Sequence, residues 1–103
     1  MKLTDEEKIS EWAYYQCKNG NGTIQMRRLI TDSHWSYCYC KWIKDINEVR
    51  KNIIDSYWAY LYCRNVKDRE EMWSKITESY YASYYCKNVK DRPEVRRYIK
   101  KWN

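Results

Sequence analysis

The chain has no phenylalanine, a single proline and only two glycines in 103 residues. So little Gly and Pro argues against a sheet-rich chain and against a disordered one. No uncharged apolar run approaches the roughly 20 residues that a membrane span requires. The opening MKLTDEEK places acids where a secretory signal needs an apolar core. These absences describe a cytoplasmic protein without a membrane segment. There is also no Gly-rich phosphate loop, no H-E-x-x-H and no G-x-S-x-G. The chemistries those motifs carry are therefore unsupported, and a non-enzymatic protein without a cofactor or metal is expected.

What the chain has is tyrosine and tryptophan, 12 and 6 respectively. Such rings suit half-buried positions with the polar tip in water. A charged fraction of 33% beside 44% apolar residues fits a helical domain, and the net charge of +6 favours an acidic partner.

A fixed period organises these residues. Cys17, Cys40, Cys63 and Cys86 are separated by 23 residues each time, and Ile30, Ile53, Ile76, Ile99 and Ser10, Ser33, Ser56, Ser79 keep the same step. A period of this length marks a repeat array. The reading is all-α: a short α-solenoid of about four two-helix repeats forming one domain over residues 1–103, with repeats near 7–29, 30–52, 53–75 and 76–98 and a C-terminal cap at 99–103. Thr4 with Glu7 forms a capping box for a first helix running to about Lys18. Asn19-Gly20-Asn21-Gly22 ends it, and Thr23 caps a short second helix to Leu29. Asp32, Asp55 and Glu78 are positioned to cap the first helix of each later repeat. Asp45 with Glu48, Asp68 with Glu71 and Asp91 with Glu94 read as boxes starting each second helix. Both helices of a repeat are expected to run about two to three turns, too short to persist alone. Val49 with Ile53, Met72 with Ile76 and Val95 with Ile99 are their buried i, i+4 pairs, and Trp102 is expected to cover the end of the array.

The repeated unit reads Ile, acid, Ser, aromatic, small, Tyr, Tyr-Cys-basic, then Val-Lys-Asp-Arg-x-Glu-Val in its fullest copies. Over residues 30–99 it resembles short two-helix repeats of small phage-encoded proteins. Those often read Tyr-Ala-Arg where this chain has Tyr62-Cys63-Arg64 and Tyr85-Cys86-Lys87. The resemblance implies a small buried position at the Cys column and a viral accessory protein that binds a host or defence component, in keeping with an inhibitor.

Five cysteines invite a disulfide or zinc reading. Equivalent positions in stacked helix pairs lie roughly 8–10 Å apart, too far for a disulfide and divergent for a tetrahedral site. Small, reduced core residues are expected. His34 and Cys38 are i, i+4 and form the one candidate nucleophilic dyad, read more simply as a surface histidine beside a half-buried thiol.

The basic columns stand out among surface features. Lys18, Lys41, Arg64 and Lys87 follow the Cys, Lys44, Lys67 and Lys90 come three residues on and on the same helical side, and Arg27, Arg50 and Arg96 form a third column. Duplication copies any such feature, so residues unique to one repeat mark specificity better: Trp42, Trp73 and His34. The candidate partner-binding set is therefore Lys41, Arg64, Lys87, Lys44, Lys67, Lys90, Arg50, Arg96, Trp42, Trp73 and His34. A protein partner with an acidic face, or a nucleoprotein, fits these residues best, since Tyr, Trp and Arg are enriched at protein hot spots. The alternatives are a nucleic-acid binder that stacks bases along the basic columns and a self-assembling structural protein whose ends stack on one another.

Overall fold

The computed structural model describes residues 3–100, so the expected Trp102 cover lies outside the described residues. Among them the chain is all-helical, with no strand and eight α-helices: α1 (Asp5–Gln16), α2 (Ile24–Arg28), α3 (Ser33–Trp42), α4 (Asn47–Arg50), α5 (Ser56–Asn65), α6 (Glu70–Trp73), α7 (Ser79–Asn88) and α8 (Pro93–Arg96). A π-helical turn, Cys17–Asn21, follows α1. The helices group into two compact units, Met1–Ile53 and Ile54–Asn103, and the boundary falls where the second sequence repeat gives way to the third. None of these helices is long and apolar enough to cross a membrane.

Each helix starts and stops for local reasons. The Thr4 hydroxyl accepts from the Glu7 amide at 3.1 Å and Thr23 accepts from the Met26 amide at 3.1 Å, the two caps expected. Asp32 caps α3 by accepting from the Trp35 amide at 3.1 Å, whereas α5 and α7 begin at Asp55 and Glu78 without a side-chain cap bond. Helices α3, α5 and α7 end without glycine. The carbonyls of Tyr39, Tyr62 and Tyr85 each accept two amides, those of Ile43 and Lys44, Val66 and Lys67, and Val89 and Lys90. In the first repeat Gly20 takes the place of Ile43, Val66 and Val89, with φ of 97°. There α1 gives way at Gln16 to the π turn rather than running to Lys18.

The second helices are shorter than expected, four residues in each of α4, α6 and α8. Bonds of i→i+3 type flank each one, as from Met72 to Arg69 and from Ile76 to Trp73, which tightens the chain at both ends. Nor do the D-x-x-E acids cap them. The caps are Ile46, Arg69 and Arg92, without side-chain cap bonds, and the preceding aspartates bind guanidinium groups instead. Asp45 pairs with Arg50 at 2.7 Å, Asp68 with Arg92 at 2.8 Å and Asp91 with Arg96 at 2.6 Å. Each of these bonds sets two opposite full charges together, whereas a cap would set the carboxylate against neutral amides.

Burial follows the repeat. Val49, Ile53, Met72, Ile76 and Val95 are buried as expected, while Ile99 is half-buried. Cys17, Cys40 and Cys63 are buried and Cys38 and Cys86 half-buried, all as free thiols. The serine column has a defined job. In the first unit the Ser10 hydroxyl donates to the Leu29 carbonyl and accepts from the Thr31 and Asp32 amides, both at 3.1 Å. In the second, Ser56 donates to the Lys75 carbonyl and accepts from the Thr77 and Glu78 amides at 3.1 and 3.3 Å. One hydroxyl thus satisfies three backbone groups where one repeat hands over to the next. Within each unit this sets the following first helix beside the earlier one.

Candidate functional site

Setting two first helices side by side leaves an aromatic cleft on each unit. In the first unit α1 supplies Tyr14 and Tyr15, the π turn after it supplies Lys18, and α3 supplies His34, Trp35, Cys38 and Trp42. Trp35 lies 5.3 Å from Tyr14 and 5.7 Å from Tyr15 between ring centroids. The Lys18 ammonium stands 6.0 Å from both tyrosine rings. Trp42 projects into solvent, 65% exposed, with the Lys41 ammonium 4.7 Å above its ring. This is cation–π geometry and presents a charged, apolar surface together.

In the second unit the equivalent cleft is built from Tyr57, Tyr60, Leu61 and Arg64 on α5 and Tyr80, Tyr81, Tyr84 and Asn88 on α7. Tyr81 packs 5.3 Å from Tyr57 and Tyr84 packs 6.1 Å from Tyr60. The Asn88 amide donates to the Tyr60 hydroxyl at 3.0 Å. Arg64 donates from Nε to Asn65 at 3.2 Å and lies 5.6 Å over the Tyr60 ring. Tyr80 is 63% exposed and shares a 3.2 Å hydroxyl contact with Tyr84. That bond, with the neighbouring phenol's charge, raises the Tyr80 pKa.

The sequence candidates divide between these clefts and the scaffold. His34, Trp42 and Arg64 line clefts, Lys41 borders one, and Lys87 is exposed on α7. Lys44, Lys67 and Lys90 are exposed but lie beyond the ends of α3, α5 and α7, because the doubly bonded tyrosine carbonyls close the helices before them. They do not share a helical side with Lys41, Arg64 and Lys87. The third basic column belongs mostly to the scaffold: Arg50 is buried against Asp45, Arg27 pairs with Glu48 at 3.8 Å, and the exposed Arg96 pairs with Asp91. Trp73 is half-buried with the Arg92 guanidinium 5.0 Å over its ring, so it supports α8 rather than facing a cleft.

Behind the second cleft runs a polar network that column reading missed. The fully buried Tyr85 donates its hydroxyl to Asp68 at 2.7 Å and accepts from Arg92 Nε at 2.6 Å, and Arg92 closes the triangle onto Asp68. Burial alone would raise the Asp68 pKa, but the bonds from Arg92 and Tyr85 outweigh it and hold the carboxyl below its ordinary value. Burial, then the bond to Asp68, pushes the Tyr85 phenol well up. Its signal in sequence was the Asp-Arg pair after α5 and after α7, Asp68-Arg69 and Asp91-Arg92, recurring with Tyr62 and Tyr85.

The Cys38 thiol beside His34 is raised, first by burial and then by Asp32, against the lowering effect of Lys41 and Lys18. A raised thiol is a poor nucleophile at neutral pH. The His34 ring instead stacks on Trp35 at 4.6 Å. No group of three or more metal-ligating side chains gathers among the described residues. No family model matches the chain, and neither a curated protein nor a solved structure matches it.

Proposed function

We propose that the chain is a short α-solenoid of about four 23-residue repeats and serves as a non-enzymatic, cytoplasmic protein-binding module. The observation that carries this reading is the pair of clefts in which exposed rings stand beside a cation. Tyr, Trp and Arg provide large contact area at low entropic cost and dominate protein hot spots. The partner face is acidic, matching Lys18 and Lys41 at one cleft, Arg64 at the other and the net charge of +6. The likeness of residues 30–99 to phage repeats supports an accessory protein that binds and modulates a host or defence component.

A second reading has its own support. Lys41 over the exposed Trp42 would also suit a stacked base beside a phosphate. A tagged pull-down with and without nuclease separates the two, run on the native chain and on Trp42→Ala and Arg64→Glu. One protein retained after nuclease at moderate salt, and lost from both variants, supports the module. Nucleic acid recovered with a steep salt dependence would replace it with the second reading.

A further inference from the structure

We propose that this chain associates head to tail with a second copy of itself, the face of α1 seating in the open groove of α7. The proposal rests on one position of the repeat register, and its groove shares Tyr80 and Tyr84 with the second cleft. Within each unit, one aromatic position on the later first helix packs on the earlier one: Trp35 against Tyr14 and Tyr15, and Tyr81 against Tyr57. The same register position on α1 is Trp12, which stands 53% exposed. Ile9, one turn away on the same side, is 49% exposed, and Leu3 is 44% exposed. Helix α1 therefore presents an exposed plug.

Helix α7 presents the matching socket. The positions on α7 that correspond to Tyr14, Tyr15 and Lys18 are Ser83, Tyr84 and Lys87, and these line an open groove with Ser79, Tyr80 and Ile99. Charge agrees with this pairing. Asp5, Glu6, Glu7 and Glu11 cluster on α1, whereas Lys87, Lys90, Arg96, Arg97 and Lys100 lie on or next to α7 and α8. Faces of opposite sign steer a heterologous contact. Such a contact leaves each complex with one free plug and one free socket, so it propagates rather than closing as a two-fold dimer.

Light scattering across a concentration series tests this with exposed-site variants that leave the core intact. The native chain is expected to rise in mass with concentration in steps of 12.9 kDa, less so in high salt. Trp12→Glu removes the plug and Ser83→Arg blocks the socket, so each alone is expected to stay monomeric. Mixed together, the intact socket of one meets the intact plug of the other, and a 1:1 dimer that grows no further is expected. A mixture that remains monomeric, or a dimer formed by either variant alone, overturns the proposal. So does a native chain that is monomeric throughout.

Discussion

The two aromatic clefts are the same construction 46 residues apart, and their differences separate scaffold from specificity. Tyr14 and Tyr60 correspond, and both are buried, at 3% and 5% exposure. Lys18 and Arg64 correspond and supply the cation. The remaining wall diverges: His34 against Tyr80, Trp35 against Tyr81, Cys38 against Tyr84 and Trp42 against Asn88. In the second unit Asn88 pins the Tyr60 hydroxyl and Arg64 is held by Asn65 and by the Tyr60 ring. In the first, the lysine rests 6.0 Å from two rings and Trp42 reaches outward. The second cleft is pre-organised and the first is adaptable. A pre-organised site loses less side-chain entropy on binding, so the second is the better place for a selective contact.

The largest expected effect tests whether the second unit owes its order to the Tyr85, Asp68 and Arg92 network. Asp68→Ala leaves a buried phenol and a half-buried guanidinium without their shared acceptor, and a loss of about 3 kcal/mol is expected in urea titration. Asp91→Ala removes an ion pair whose partners are 55% and 60% exposed, so about 0.5 kcal/mol or less is expected. Equal losses would show that the network adds nothing beyond a surface pair. The sign with pH follows from the lowered Asp68 pKa. Its contribution is present above the ordinary carboxyl value of about 4 and is lost as pH falls through the folded value.

Next come positions where the units should agree. Ser10→Ala and Ser56→Ala each strand two amides at buried sites, so about 2 kcal/mol is expected from either. Costs differing by more than about 1 kcal/mol would break the equivalence of the two scaffolds. The Cys column is a smaller version of the same test. Burial, followed by Asp45 and Asp68 respectively, pushes the Cys40 and Cys63 thiols up to about 12. A raised folded pKa means the stability is full below the unfolded value near 8.5 and is lost as pH rises toward 12. About 1 kcal/mol per thiol should be gone at pH 9, and Cys40→Ala and Cys63→Ala should each remove one share of that decline.

How much of this the sequence discloses depends on the kind of contact. The 23-residue step locates the two-helix units, the Thr4, Thr23 and Asp32 caps and the buried Val49, Ile53, Met72 and Ile76, because period and capping are local properties. The serine column is visible as a column, but its role needs the fold, since each hydroxyl bonds backbone about 20 residues on. The D-x-x-E boxes misled because a competitor lies outside each of them: the arginines Arg50, Arg92 and Arg96 draw the carboxylates away from the helix amides. The clefts escaped notice because no single column holds them. The second is formed by Tyr57 with Tyr81 and Tyr60 with Tyr84, 24 residues apart, and the first by Tyr14 and Tyr15 with Trp35, 21 and 20 apart, all off the repeat period.

The finest test exchanges the one residue that most distinguishes the clefts. Trp42 is solvent-facing, so Trp42→Asn should change stability by no more than about 0.5 kcal/mol. Asn88→Trp should cost about 1 kcal/mol, because the Tyr60 hydroxyl loses its donor. The two substitutions then make opposite predictions about contact. Trp42→Asn removes the outward ring and its Lys41 partner surface from the adaptable cleft, and capture of an acidic protein should weaken by tenfold or more. Asn88→Trp enlarges the aromatic area of the other cleft while releasing its fixed tyrosine. If pre-organisation governs that cleft, binding falls despite the added ring; if exposed area governs, binding rises. Measuring both variants by calorimetry against one acidic partner therefore decides which property of the clefts matters, with the folded state held nearly constant.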